Sequence, residues 1–224
     1  MSKLALITGA NRGIGLSFAK HYVNQGYKVI ATARNPSAAT ELKKLSCTVL
    51  PLDVSSDTSI KHLAQELKST NCSIDLLINN AGIIPKDTLQ TCTRQNLLEA
   101  FSVNACGPVL VTQAFLPLLN NNSKVVCISS GIASIQENTF GGFYSGRASK
   151  TALNAMVKSM MFDLKKLKVP VLALDPGMVK TDLTGGKGEC FPDEAVEKMA
   201  KRISELNLEN SGKYQHRDGR FILY

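Results

Sequence analysis

The sequence predicts a single doubly wound α/β domain: a parallel sheet of about seven strands with helices on both faces. Three observations carry that prediction. Short runs rich in β-branched residues alternate with helical patterns along the whole chain, the order from which strand–helix–strand units build a parallel sheet. The strand runs are nearly continuous in apolar residues rather than alternating, which marks burial on both faces. No linker, low-complexity stretch or internal repeat interrupts the 224 residues, so residues 1–224 read as one domain.

The elements follow in order. LALIT (4–8) is the first strand, and RGIGLSFAKHYVNQG (12–26) a helix closed by Gly26. YKVIATA (27–33) is the second strand; a short helix covers about 37–45, and CTVLPLD (47–53) is the third strand. Ser55 and Ser56 are N-cap candidates for a helix over 57–69, because a serine oxygen accepts from the free N–H groups of the first turn. SIDLLINNAG (73–82) is the fourth strand with its turn, a long helix spans about 94–119, and KVVCISS (124–130) is the fifth strand. A helix over 147–167 leads into VPVLALDPG (169–177), the sixth strand; a helix near 193–206 precedes GRFILY (219–224), the expected last strand. The long loop TDLTGGKGECFP (181–192) follows a strand's carboxyl end, and its place and glycines predict a mobile substrate lid.

Composition excludes several classes. Hydrophobic residues make up 44% and charged residues 20%, ordinary values for a globular chain. No uninterrupted apolar run approaches the roughly 20 residues of a membrane span, and the N-terminus lacks the pattern of a secretory signal. The six cysteines, at 47, 72, 92, 106, 127 and 190, form no CxxC pair and cluster with none of the three histidines. Reduced thiols in a cytoplasmic protein and no metal site are therefore expected. Lys plus Arg outnumber Asp plus Glu by 26 to 18, giving +8. The densest basic run, KKLK at 165–168, closes a helix, where cations suit the dipole. No aromatic stacking surface accompanies it, so no nucleic-acid partner is expected.

The turn TGANRGIG (8–15) sits between the first strand and its helix. Gly9, Gly13 and Gly15 let the backbone approach a pyrophosphate closely, and the helix behind them offers unpaired N–H donors. Asn11, Arg12 and Ile14 complete this cofactor loop. The second strand ends in ATARNP, so Arg34 stands where an acidic residue would hold the ribose 2′-hydroxyl of NAD. Arg34 and Arg12 together suit a 2′-phosphate, which selects NADP(H) over NAD(H).

TGANRGIG, Asp53-Val54, NNAG (79–82), SVN ending at Asn104, CISS ending at Ser130, RASK ending at Lys150 and DPGMVKTD (175–182) occur in that order. Over its full length the chain resembles the short-chain dehydrogenase/reductase family, whose Rossmann-type domain reduces carbonyls with nicotinamide cofactors. The approach ASIQENTFGGFY, PGMVKTD before a glycine pair, and the ending DGRFILY are similar to its Sniffer-type and C-factor-type carbonyl reductases. The resemblance implies that Asp53 and Val54 meet the adenine, and that Asn80, Ala81 and Gly82 line the adenosine ribose. Pro176, Gly177, Val179 and Thr181 would bracket the nicotinamide. Lys150 would bind its ribose, Asn104 would hold a water relaying protons to Lys150, and Ser130 would hydrogen-bond the substrate oxygen. Pairing of two copies through the helices at 94–119 and 147–167 is a further implication.

One position departs from the family pattern. A phenol one helical turn before the lysine serves as the acid, because a nearby ammonium favours phenolate and a spacing of four puts both on one face. Four residues before Lys150 stands Gly146. Tyr144 is the nearest phenol, but six residues in an ideal helix turn it by about 240° from Lys150, so only an irregular helix start would bring it back. Three readings stay open: a reductase using Tyr144 or water for its proton, a reductase whose parent had tyrosine at 146, and a cofactor-binding pseudoenzyme with a regulatory or scaffolding role. The expected substrate is a small ketone, aldehyde or quinone.

Overall fold

A computed structural model describes residues 2–224. Seven strands form one sheet in the order β3-β2-β1-β4-β5-β6-β7, and every pairing is parallel. The strands are β1 (Leu4–Ile7), β2 (Lys28–Ala33), β3 (Thr48–Pro51), β4 (Ile74–Asn79), β5 (Leu119–Ile128), β6 (Val171–Asp175) and β7 (Lys213–His216). The helices are α1 (Gly13–Asn24), α2 (Thr40–Lys43), α3 (Asp57–Ser69), α4 (Arg94–Phe101), α5 (Gly107–Phe115), α6 (Tyr144–Lys166) and α7 (Pro192–Glu205). Strand order reverses between β1 and β4, and the crevice at such a reversal is where doubly wound folds bind ligands.

The apolar strands are buried on both faces because helices cover both. On one face Leu6, Leu77 and Val125 of the sheet meet Leu63 of α3, Val111 and Phe115 of α5, and Leu153 and Val157 of α6. On the other, Ala5, Ile7 and Ile78 meet Phe18 and Tyr22 of α1, Leu42 of α2 and Met199 of α7.

Four elements differ from expectation. The helix expected over 94–119 is a run of α4, a π-helical segment Ser102–Cys106, and α5. The wide turn accompanies a buried Asn104, whose amide reaches out to the Ile83 backbone; such π segments often mark functional sites. By length and composition the run Arg94–Leu118, with hydropathy 1.3, is long and apolar enough to cross a membrane, although no single uninterrupted apolar stretch reveals it; here its apolar face packs on the sheet. Helix α6 begins at Tyr144 rather than 147. Its cap comes from far away in sequence: the buried Asp87 carboxylate accepts from the Ser145 N–H at 3.2 Å and from the Ser145 hydroxyl. The last strand is Lys213–His216, not 219–224. The chain reverses after it, and Phe221 makes only an isolated antiparallel bridge to Gln215. Finally β5 starts at Leu119, because Leu119 pairs with Ile74 before a register shift lets Lys124 pair with Leu76.

Candidate active site

The turn after β1 is built for close approach. Gly9 has φ +63°, and a Cβ there would lie 2.8 Å from the Ala81 Cα. At Gly15 a Cβ would lie 2.4 Å from the Gly9 carbonyl oxygen and 2.5 Å from Asn80 Nδ2. Asn80 ties the turn down by donating Nδ2 to the carbonyls of Thr8 at 2.9 Å and Gly9 at 3.0 Å. The Thr8 hydroxyl accepts from the N–H groups of Asn80 and Ala81. Arg12 precedes α1 in extended conformation without a side-chain cap, and no acidic residue occupies the first turn. The N–H end of α1 is thus open to a phosphate, and the cradle fits a dinucleotide.

The remaining cofactor candidates lie along the same carboxyl edge. Arg34 follows β2 and is exposed; among the described residues no carboxylate pairs with it. Arg12 makes an exposed ion pair with Asp182 at 3.4 Å. Asp53 follows β3; hydrogen bonds from Ser55 lower its carboxyl below the usual range, with Arg34 adding to the effect. Val54 is buried beside it, while Asn11 is exposed and Ile14 packs against the α1 core. Asn80, Ala81 and Gly82 follow β4, and Pro176, Gly177, Val179 and Thr181 follow β6. A Cβ at Gly13 would touch Thr181 Cγ2 at 3.4 Å, so the glycine turn and the 181–192 loop meet.

Ser130 ends β5. Its carbonyl accepts from the Tyr214 hydroxyl at 2.5 Å and from the Ala133 N–H at 2.9 Å. Its own hydroxyl makes no hydrogen bond among the described residues, while the neighbouring Ser129 hydroxyl is buried and donates to Asn154 at 2.7 Å. Lys150 projects from α6 under the sheet edge, 4% exposed, and donates to the Ile128 carbonyl at 2.6 Å. Burial lowers its ammonium to about 8, opposed by Cys127 and Asp175. The Asn104 amide donates to Ile83 O at 2.7 Å and Ser149 Oγ at 2.9 Å, and its oxygen accepts from Ile83 N at 2.9 Å. A Cβ at Gly82 would fall 3.1 Å from Asn104 Oδ1 and 3.4 Å from Lys150 Nζ, which places these three side by side.

Gly146 and Lys150 share the buried face of α6 with Ser149, Leu153 and Asn154. A Cβ at Gly146 would lie 3.0 Å from Ile84 Cγ2 and 3.3 Å from Ile132 Cδ1. Tyr144 is 42% exposed and is already helical. It lines an outer groove of about 420 Å³ with Arg147, Ala148 and Thr151. The structure therefore places Asn104, Lys150 and Gly146 close together, with Ser130 just past the end of β5, and leaves Tyr144 part-exposed on a groove that Ile132, beside Gly146, also lines.

Sequence reasoning missed three features. Asp175 is a buried carboxyl at the β6 end, accepting from the Gly177 N–H at 2.9 Å; burial raises it, and neighbouring N–H groups, His216 and Arg217 oppose the rise. Its signal was an acidic residue closing an apolar strand. Arg147 donates to the carbonyls of Gly142, Ile132 and Gly141 at 3.0–3.1 Å. It lies 4.5 Å over the Phe140 ring and so pins the loop before α6. Asp87 gave no local signal.

Comparison with known proteins gives concordant results. Residues 3–190 match the family described as short chain dehydrogenase. The chain is 35% identical over 222 residues to 1-hydroxy-2-glutathionyl-2-methyl-3-butene dehydrogenase of Rhodococcus sp., covering 97% of each chain. It superposes with a TM-score of 0.93 on an NADPH-bound carbonyl reductase from chicken fatty liver, at 33% identity, covering 100% of this chain and 99% of that one. Carbonyl reductase Sniffer of D. melanogaster gives the same TM-score at 29% identity over the whole of both chains.

Proposed function

Because the chain belongs to the short-chain dehydrogenase family, we propose that it is an NADP(H)-dependent carbonyl reductase acting on a small ketone, aldehyde or quinone and the matching alcohol. The observation that carries this reading is the convergence, on one sheet edge, of a glycine cradle, a serine hydroxyl without a protein partner and a buried lysine. When bound, the cofactor supplies hydride. The chain's own residues do the rest. The glycine turn and the α1 N-terminus take the pyrophosphate, and Arg12 and Arg34 take the 2′-phosphate. Asp53, Val54 and the 80–82 turn border the adenosine. Pro176, Gly177, Val179 and Thr181 border the nicotinamide, and Lys150 its ribose. Ser130 holds the substrate oxygen, Asn104 fixes the floor beside Lys150, and the 181–192 loop closes over the site. In this reading Tyr144, part-exposed and six residues before Lys150, is not used as the acid.

A second reading, a weakly active or inactive NADPH-binding regulatory protein, is favoured by Gly146 alone. Calorimetry with NADPH and NADH, followed by NADPH oxidation over a panel of carbonyls, separates them. Tight NADPH binding with turnover supports the reductase, binding with no turnover supports the second reading, and no binding of either cofactor removes both. A cytoplasmic homodimer is part of the proposal. Exposed Leu97, Leu98 and Phe101 on α4 and Phe162 on α6 favour pairing through these helices.

A further inference from the structure

Reduction of a carbonyl leaves an oxygen that must be protonated, and position 146 offers nothing to do it. Resting on the reductase reading, we propose that Lys150 itself is the proton donor, passing a proton from Nζ through one water to the oxygen held by Ser130. Lys150 Nζ is anchored 2.6 Å from the Ile128 carbonyl, two residues before Ser130 on the same strand end. Ser130 stands two residues further on, roughly 6–7 Å of extended backbone beyond Ile128. A bridging water spans the gap between an ammonium tied to the Ile128 carbonyl and an oxygen held at Ser130.

Other groups around the site are unfit. The Ser149 hydroxyl donates to the Gly146 carbonyl at 3.0 Å, and the Asn104 amide is held by Ile83 and Ser149. Burial pushes the Cys127 thiol up to about 12, far too weak an acid. The Asp175 carboxyl is turned onto backbone N–H groups. The titratable groups facing Nζ are Cys127 from β5 and Asp175 from β6; from the 80–82 turn and the π segment only neutral Gly82 and Asn104 approach. Ile84 and Ile132 make the space beside Gly146 apolar. This is the setting that disfavours a buried ammonium and brings its acidity toward the working range.

The step balances. Hydride adds to the carbonyl carbon, the C=O π pair moves onto oxygen, and that oxygen takes the proton relayed from Nζ. Lys150 becomes a neutral amine and regains its proton from solvent.

The test uses the NADPH-loaded protein. Lys150→Arg keeps the charge but releases no proton at working pH, and Lys150→Ala leaves room for an added amine. Expected are a single-turnover rate in the unsubstituted protein that declines above about pH 8, and a loss of about 10²-fold or more in both variants. Methylammonium should restore the alanine variant in proportion to its concentration. Two readouts are independent of turnover: NADPH affinity by fluorescence, expected within about tenfold of the parent for Lys150→Arg, and ¹³C NMR titration of the Lys150 Cε in the NADP⁺ complex, expected to match the kinetic decline. A flat pH–rate profile, an arginine variant at parental rate, or a Lys150 titration far from the kinetic limb would each overturn the assignment while leaving the reductase reading intact. No turnover of any carbonyl would overturn both.

Discussion

Replacing Gly146 with tyrosine tests the geometry of the site most directly. Gly146 lies in the first turns of α6, on the buried face that carries Lys150, and its φ is not in the left-handed region, so a side chain is compatible with the backbone. The new Cβ would press on Ile84 Cγ2 at 3.0 Å and Ile132 Cδ1 at 3.3 Å. Crowding of this kind costs about 1–3 kcal/mol, offset by about 0.5 kcal/mol from removing a helical glycine. The net loss of about 0.5–2.5 kcal/mol corresponds to a fall in Tm of roughly 1–10 °C for a chain of this size. Ile84→Ala removes the nearer methyl and should recover part of it. The rate should move the other way, since a positioned general acid contributes about 10²–10⁴-fold. NADPH oxidation at saturating cofactor, compared for Gly146→Tyr, Gly146→Phe and Gly146→Tyr with Ile84→Ala, isolates the hydroxyl, because phenylalanine brings the same crowding without the proton. A tyrosine variant at least about tenfold faster than the phenylalanine variant is expected. Equal rates would refute the claim that residue 146 faces the reacting oxygen.

Three further outcomes follow from the same coordinates. The buried Lys150 releases its proton at about 8 when folded, against 10.5 for the free side chain, so its burial penalty is full below about pH 8 and fades as pH rises toward 10.5. A lowering of this size is worth about 3 kcal/mol; the stability advantage of Lys150→Met over the parent, measured by denaturant melts, should shrink by up to that amount across this window, and a constant difference would contradict it. Arg34→Glu should weaken NADPH binding at least about tenfold at low salt and narrow or reverse its advantage over NADH, as read by calorimetry. Asp87→Ala strips the buried Ser145 N–H and hydroxyl of their acceptor and should destabilise the protein by about 1–3 kcal/mol, visible in chemical melts.

Much of the architecture was legible because it rests on local pattern. The continuous apolar runs of β1, β2, β4 and β6 fit the inside of a covered parallel sheet, and α3 shows its own cap in Ser56. The failures have a common cause in contacts distant along the chain. The α6 start is set by Asp87, 58 positions from Ser145, which no window around residue 144 reveals. Strand β7 reads KYQH, and only Tyr214 is fully buried; the apolar signal of GRFILY belongs to the return segment that folds back on it. The polar NNNS at 120–123 looks like a turn, yet it lies inside β5 because Leu119 pairs before the register shift. In the site, spacing alone put Gly146 beside Lys150 and Tyr144 off that face. The approach to α6 is irregular only up to Phe143, which is left-handed, and Tyr144 is already the first helical residue. What spacing could not show was the burial of Lys150 and Asp175, which depends on contacts among the ends of β5, β6 and β7 and the turn after β4.

The double anchorage of α6, by a carboxylate donated from the loop after β4 and a guanidinium gripping three carbonyls, makes no use of whatever side chain occupies residue 146. A side chain added at 146 would press on Ile84 and Ile132 but leave both anchors in place, so the helix that carries Lys150 keeps its start whatever stands there.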